Sequence, residues 1–154
     1  DNLLVVQAFS KARSMAGMRI GYAIGNERLI RYLNDVKYSF NSYTMSRAAL
    51  LAGVESVRDR SYFEKTTEEI IKTREWAKGE FLRLGFSFPD SKANFLFVTH
   101  PDHEAKEIFE KLKECDVYVR YFGGERTGRY LRVSIGTKEE MEKLFDALGR
   151  ILTR

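Results

Sequence analysis

Lys11 is the residue of this chain whose type and setting best suit covalent chemistry. It follows the apolar run Leu3-Leu4-Val5-Val6 by a few residues, with the hydroxyl of Ser10 beside it and the guanidinium of Arg19 eight positions on. A lysine held just past a buried strand can occupy a partly dry pocket, and desolvation or a nearby cation favours its neutral amine. That amine can attack a carbonyl and form a Schiff base. A guanidinium fork and a hydroxyl suit phosphate oxygens, and Gly17 and Gly21 would let the backbone come close to a ligand. On residue types alone, a Lys and an Arg flanking a loop equally describe a solvated surface.

A second pair of cations lies far along the chain. In 117–122, Val117, Val119 and Tyr121 alternate onto one face of an expected strand and Arg120 takes the other; in 131–135, Leu131, Val133 and Ile135 share a face opposite Arg132 and Ser134. If the two strands pair around the turn 123–128, both arginines project from one side of the sheet, a setting for a phosphate or a carboxylate. A solvated outer face fits the same pattern. His100 and His103 flank Pro101-Asp102 and read as surface or cap residues, because no further ligands arrive at metal spacing. Cys115 reads as a half-buried small residue and Gly123-Gly124 as a turn, so no metal is expected.

The elements that must position these groups follow from periodicity. Leu3–Val6 has the continuous apolar character of a strand buried on both faces between parallel neighbours, and Ile20–Gly25 reads as another buried strand. Asn26 is a good N-cap for a helix to about Lys37 with Leu29, Ile30 and Leu33 on one face. A short helix is expected over Ser46–Val57 and a long one over Ser61–Leu84, stopped by Gly85. Strand Ala93–Val98, helix Asp102–Glu114, strands Val117–Phe122 and Tyr130–Ile135, and helix Lys138–Leu152 complete the chain. Thr137 and Glu140 form a capping-box pattern at the start of the last helix.

Composition narrows the possibilities. Of 154 residues 44% are hydrophobic and 31% charged, enough apolar material to exclude intrinsic disorder. The longest run of apolar residues and glycine, residues 48–54, is too short to span a bilayer. One cysteine points to a reducing, cytoplasmic setting. Residues 1–60 hold nine Lys/Arg against five Asp/Glu, while 61–154 hold seventeen of each, so the whole net charge of +4 sits early. With no reading motif and no basic stripe, this fits a small anionic ligand at least as well as nucleic acid. The abundant Tyr and Phe fall at core spacing.

Ser10-Lys11-Ala12, then Ala16-Gly17-Met18-Arg19-Ile20-Gly21, with Asn94-Phe95 and Leu131-Arg132-Val133-Ser134-Ile135-Gly136-Thr137 following in order, resembles the cofactor-lysine signature of the fold-type I pyridoxal-phosphate aminotransferases. The resemblance covers nearly the whole chain. It implies that Lys11 carries pyridoxal phosphate and moves a proton during the reaction. Ser10 and Arg19 would hold the cofactor phosphate, although Ala8 stands where the family often has a further hydroxyl residue, three positions before the lysine. Arg132, assisted by Arg120, would bind an anionic group of the substrate. Asn94 would face the substrate pocket, though it also suits a strand start. The implied fold is α/β: residues 1–45 as the tail of a large cofactor-binding α/β domain, 46–85 as connecting helices, 86–154 as a small C-terminal α+β domain. The expected partners are a small-molecule amino donor and a 2-oxo acid, in a homodimer, with neither nucleic acid nor membrane. The pyridinium-pairing aspartate and the phosphate-cradling loop belong to the family's N-terminal portion, so the chain is expected to be a C-terminal part, inactive and without cofactor when isolated. An aromatic or dicarboxylic substrate, a phosphothreonine-decarboxylase-like activity, or a catalytically silent basic interaction module remain alternatives.

Overall fold

The computed structural model describes residues 2–153; Asp1 and Arg154, the outermost positions of the first and last expected segments, lie outside the described residues. The chain divides into two compact units, Asp1–Thr67 and Glu68–Arg154.

In the first unit, β1 (Leu4–Ala8) and β2 (Gly21–Gly25) pair antiparallel, from Leu4 opposite Gly25 to Ala8 opposite Gly21. Both ends of β2 are glycines, and a Cβ on Gly25 would come within 2.9 Å of the Leu3 carbonyl. Helix α1 (Glu27–Phe40) starts where the Asn26 side chain accepts from the Arg28 N–H at 2.9 Å. Helix α2 (Arg47–Arg58) starts where Ser46 Oγ accepts from the Ala49 N–H at 3.1 Å. Asp59 then closes α2 with its own N–H on the Glu55 carbonyl and opens α3 (Arg60–Arg83) by accepting from the Tyr62 N–H. The buried apolar cluster here is small: Phe9, Ile20 and Ala49, with Met15, Met18 and Met45 against it.

The expectation of a first strand buried between parallel neighbours is not met. β1 pairs with the strand that the chain itself returns after a twelve-residue turn, and a direct return of this kind is antiparallel because no crossover intervenes. Leu3, Val5, Val6 and Ile24 are exposed. Continuous apolar character therefore marks surface that the described residues leave uncovered.

The second unit holds the main core. The later turns of α3 supply Ala77 and Phe81, which pack with Phe86, Leu96, Val98, Leu131 and Val133 of the sheet region. Helices α4 (Ala105–Glu114) and α5 (Lys138–Leu152) add Ile108, Leu112, Met141, Leu144, Phe145, Leu148 and Ile151. The sheet has the order β3-β5-β4, all antiparallel, with β3 Phe95–Val98, β4 Arg120–Tyr121 and β5 Leu131–Ser134. Alternation sorts its faces: Leu96, Val98, Leu131 and Val133 are buried, leaving Phe95, Phe97, Arg120, Arg132 and Ser134 on the other side. The strand expected over 117–122 shortens to two residues. Helix α4 begins three residues later than expected, because Asp102 spends its N–H on His100 Nδ1 at 3.1 Å instead of opening the helix.

Local signals hold at the helix ends. Thr137 and Glu140 make both bonds of a capping box, 3.2 and 2.8 Å. Gly85 ends α3 at φ +82°, a conformation that a side chain resists. Arg74 is buried to 4% exposure with each of its three nitrogens bonded: Nη1 donates to the Ala93 carbonyl at 3.1 Å, and Nε and Nη2 grip Glu75 at 3.0 and 2.9 Å. Among the described residues no helix is long and apolar enough to cross a membrane.

Candidate functional site

The turn 9–20 places Ser10, Lys11 and Arg19 at one end of the β1–β2 hairpin. The Phe9 N–H donates to the Ile20 carbonyl at 3.0 Å, one step beyond the Ala8–Gly21 pair, so Ser10 and Arg19, the residues next to these two, start and end the open part of the turn. Two further bonds close the loop around Lys11: Ser14 N–H to the Lys11 carbonyl at 3.0 Å and Met15 N–H to the Phe9 carbonyl at 3.1 Å. Ser10 is half-buried, and Lys11 and Arg19 are exposed.

The conformational work in this turn is not done by its glycines. Ser14 (φ 54°) and Arg19 (φ 56°) adopt the left-handed region, which costs a residue with a Cβ roughly 1–2 kcal/mol. Arg19 ends a short 3₁₀ turn, Ala16–Met18, and its Nη1 donates back to the Ala16 carbonyl at 3.0 Å. Gly17 has nothing within 4 Å of where a Cβ would stand, whereas a Cβ on Gly21 would meet the Gln7 carbonyl at 3.2 Å. Gly17 thus leaves the outer side of the turn open and Gly21 serves strand pairing.

The donors assembled here are an amine, a hydroxyl and a guanidinium with only one of its five N–H groups committed within the turn. That set fits an aldehyde that carries a phosphate: the amine matches the carbonyl carbon, the other two the phosphate oxygens. Ala8 adds no hydroxyl, as its sequence position already implies.

The second set lies in the second unit. Arg120 of β4 and Arg132 of β5 are direct cross-strand partners, and Phe97 of β3 faces Arg132 from the other side. Like charges directly opposite are destabilising. The described structure eases this with aromatic faces: Phe122 lies 5.4 Å from the Arg120 guanidinium carbon and 5.5 Å from that of Arg132, and Phe95 lies 5.5 Å from Arg132 on a further side. Neither arginine makes a salt bridge among the described residues. Arg132 Nε is buried with no hydrogen-bond partner, an orphaned donor of the kind that an anionic ligand satisfies. Asn94 is exposed immediately before β3; its carbonyl accepts from the Ile135 N–H at 2.9 Å, extending the β3–β5 ladder and bringing it to the edge of the arginine face.

Phe95 and Phe122 are members of this arginine cluster that residue spacing did not single out. The signal was present in the alternation that places Phe95 and Arg132 on one face, but it needed the strand register to become legible. His100 is fully engaged: Nδ1 accepts from Asp102, so Nε2 carries the proton and donates to the Leu84 carbonyl at 3.1 Å. Among the described residues no cluster of His, Cys, Asp and Glu could hold a metal ion.

The family model for aminotransferase class I and II matches residues 1–148. A histidinol-phosphate aminotransferase of Clostridium botulinum (strain Okra / Type B1) is 51% identical over 153 residues, 99% of this chain and 43% of that protein. One from Lactococcus lactis subsp. lactis (strain IL1403) is 48% identical over 154 residues, 100% of this chain and again 43% of the relative. A solved histidinol-phosphate aminotransferase of Sinorhizobium meliloti, in complex with pyridoxal-5'-phosphate, superposes with TM-score 0.84 at 25% identity, covering 99% of this chain and 41% of that one. The chain therefore spans less than half the length of the curated relatives it matches.

Proposed function

The chain belongs to the class I and II aminotransferase family, and from that premise we propose that it is the lysine- and arginine-bearing part of a histidinol-phosphate aminotransferase. The reaction is amino transfer between histidinol phosphate and 2-oxoglutarate, a step of histidine biosynthesis, with pyridoxal phosphate as cofactor. The observation that carries the substrate class is the cross-strand pair Arg120–Arg132 with the buried, unpartnered Nε of Arg132, which calls for an anion on that face. The 51% identity to the Clostridium botulinum protein supports the phosphate-bearing donor over an aromatic or dicarboxylic one, and over a silent interaction module.

Pyridoxal phosphate, when bound, supplies the electron sink that accepts the carbanion electrons of the substrate. The residues of this chain supply the amine and the anion-binding groups. Lys11 Nζ would hold the cofactor through its aldehyde, and as a free amine it would take the proton from the substrate α-carbon. Ser10 and Arg19 hold the cofactor phosphate through charge-assisted hydrogen bonds. Arg132 and Arg120 bind the phosphate of the donor, then a carboxylate of the acceptor, and Asn94 borders that site. With less than half the relatives' length, the isolated chain does not turn over.

A homodimer and a cytoplasmic setting belong to the same reading. The first is supported by the apolar surface of residues 1–67, where Phe40 and Tyr43 are 90% and 93% exposed; the second by the single cysteine.

The test uses a polypeptide of the relatives' full length that carries this chain. It is expected to convert histidinol phosphate with 2-oxoglutarate, and Lys11→Ala to lower kcat by at least about 100-fold. Full activity in the Lys11→Ala protein, or preference for a neutral donor over a phosphorylated one, would contradict the proposal.

A further inference from the structure

Arg13 stands two residues after Lys11, inside the loop closed by the Ser14-to-Lys11 and Met15-to-Phe9 bonds. Its side chain leaves the turn. Nη1 donates to the carbonyl of Ser56, in the last turn of α2. Carbonyls there run out of intrahelical donors, and the helix dipole presents its negative end, so a guanidinium is the favoured cap. The same guanidinium lies 4.3 Å from the Phe63 ring centroid of α3 and 5.7 Å from that of Phe9, which precedes Ser10 in the turn. Phe9 is itself one of the three buried residues of this unit's apolar cluster.

Among the described residues this is the one side-chain hydrogen bond that runs from the turn 9–20 to a helix. The turn also holds two non-glycine residues in the left-handed region, Ser14 next to Arg13 and Arg19 at the far end. Such conformations persist where surrounding contacts over-determine them, and the Arg13 anchor is the contact adjacent to Ser14. Arginine is required by geometry: it offers a flat face to Phe63 while donating in its own plane to Ser56, whereas an ammonium is a point charge without a face.

We propose that Arg13 is a positioning residue: by tying the turn to the α2–α3 corner it fixes where Lys11 Nζ stands relative to the aldehyde carbon it must attack. The proposal rests on the reading of Lys11 as the cofactor lysine.

The test uses the full-length polypeptide with Arg13→Met, which keeps the apolar stem between the rings, and Arg13→Lys, which keeps the charge. Each is treated with pyridoxal phosphate, reduced with borohydride at timed intervals and mapped by peptide mass spectrometry, at a temperature where circular dichroism shows it folded. The rate of label appearing on Lys11 is expected to fall about 10- to 100-fold in Arg13→Met and by less in Arg13→Lys, while surface lysines label at the wild-type rate. The steady-state loss falls on kcat, with KM for histidinol phosphate unchanged, because the substrate-binding arginines are untouched. Wild-type labelling of Lys11 in a folded Arg13→Met protein overturns the positioning role. Absence of label on Lys11 in the wild-type protein overturns the underlying reading instead, so the two failures are distinguishable.

Discussion

At the scale of single residues, type and order single out Lys11, Ser10 and Arg19, while the antiparallel hairpin that puts all three in one turn is seen only in the structure. The arginine pair was legible from alternation, since period-two spacing determines a face. Arg13 was not. Its partners, Ser56 and Phe63, lie more than forty residues away and no spacing rule connects them. The Arg120–Arg132 pair carries a stability consequence. Like charges directly across a ladder cost about 0.2–1 kcal/mol, so Arg120→Met should raise thermal stability slightly in denaturant titrations while raising KM for the phosphorylated donor. A stability loss with unchanged KM would mean that Arg120 serves the fold and not the ligand. Arg132→Met is the sharper change in binding, as it removes the one buried side-chain nitrogen that lacks a protein acceptor among the described residues.

At the scale of elements, three helices fall within a residue of expectation at both ends and two miss one end by three residues, while strand positions hold to within two residues except at 117–122 and the burial expected of the first strand does not hold. Caps are local: Asn26, Ser46 and Thr137 each bond an amide two or three residues on, so a few letters specify them. Strand burial depends on what lies across the sheet, which is why the apolar run at 3–6 reads as interior while the described residues leave it uncovered. Strand 117–122 shortened to Arg120–Tyr121 for a similar reason: only those two residues find partners on β5. Gly85 offers a direct check of the joint between α3 and the sheet. Its φ of +82° disfavours any side chain, and an added Cβ would stand 2.9 Å from His100 Nε2, the atom that donates to Leu84. Gly85→Ala should therefore destabilise the protein by about 1–3 kcal/mol in chemical denaturation. A neutral effect would show that this corner adjusts freely.

At the scale of the whole chain, burial is uneven. The second unit owns the large contiguous core, whereas the first buries three apolar side chains and exposes many. Hydrogen exchange on the isolated chain should accordingly show slow amides in α4, α5, β3 and β5 and fast ones in β1, β2 and α1. Uniform protection across both units would contradict this. The pH response also has a sign. Hydrogen bonds from Lys78 hold the carboxyls of Glu75 and Asp90 below their usual range, and Lys72 and Lys111 do the same for Glu68 and Glu107. These groups are depressed on folding, so their contribution is present above the ordinary carboxylate range and is lost as pH falls through their folded values. Lys78 is raised, chiefly by its bond to Asp90, so its contribution is lost at the other extreme, as pH rises through its folded value. The four carboxylates are solvent-exposed, which keeps the effect small, although the Lys78 side chain itself is largely covered. Thermal midpoints should be flat at neutral pH and fall in acid, and Asp90→Asn should shallow the acid limb.

For the full-length protein the central claim is that one lysine of this chain carries the cofactor. The most direct measurement is to saturate that protein with pyridoxal phosphate, reduce with borohydride and locate the added mass by peptide mapping. A single label on Lys11 is the predicted result, lost in Lys11→Ala without appearing elsewhere. Label spread over the surface lysines, or concentrated on a different one, would contradict the assignment of this turn as the reactive centre.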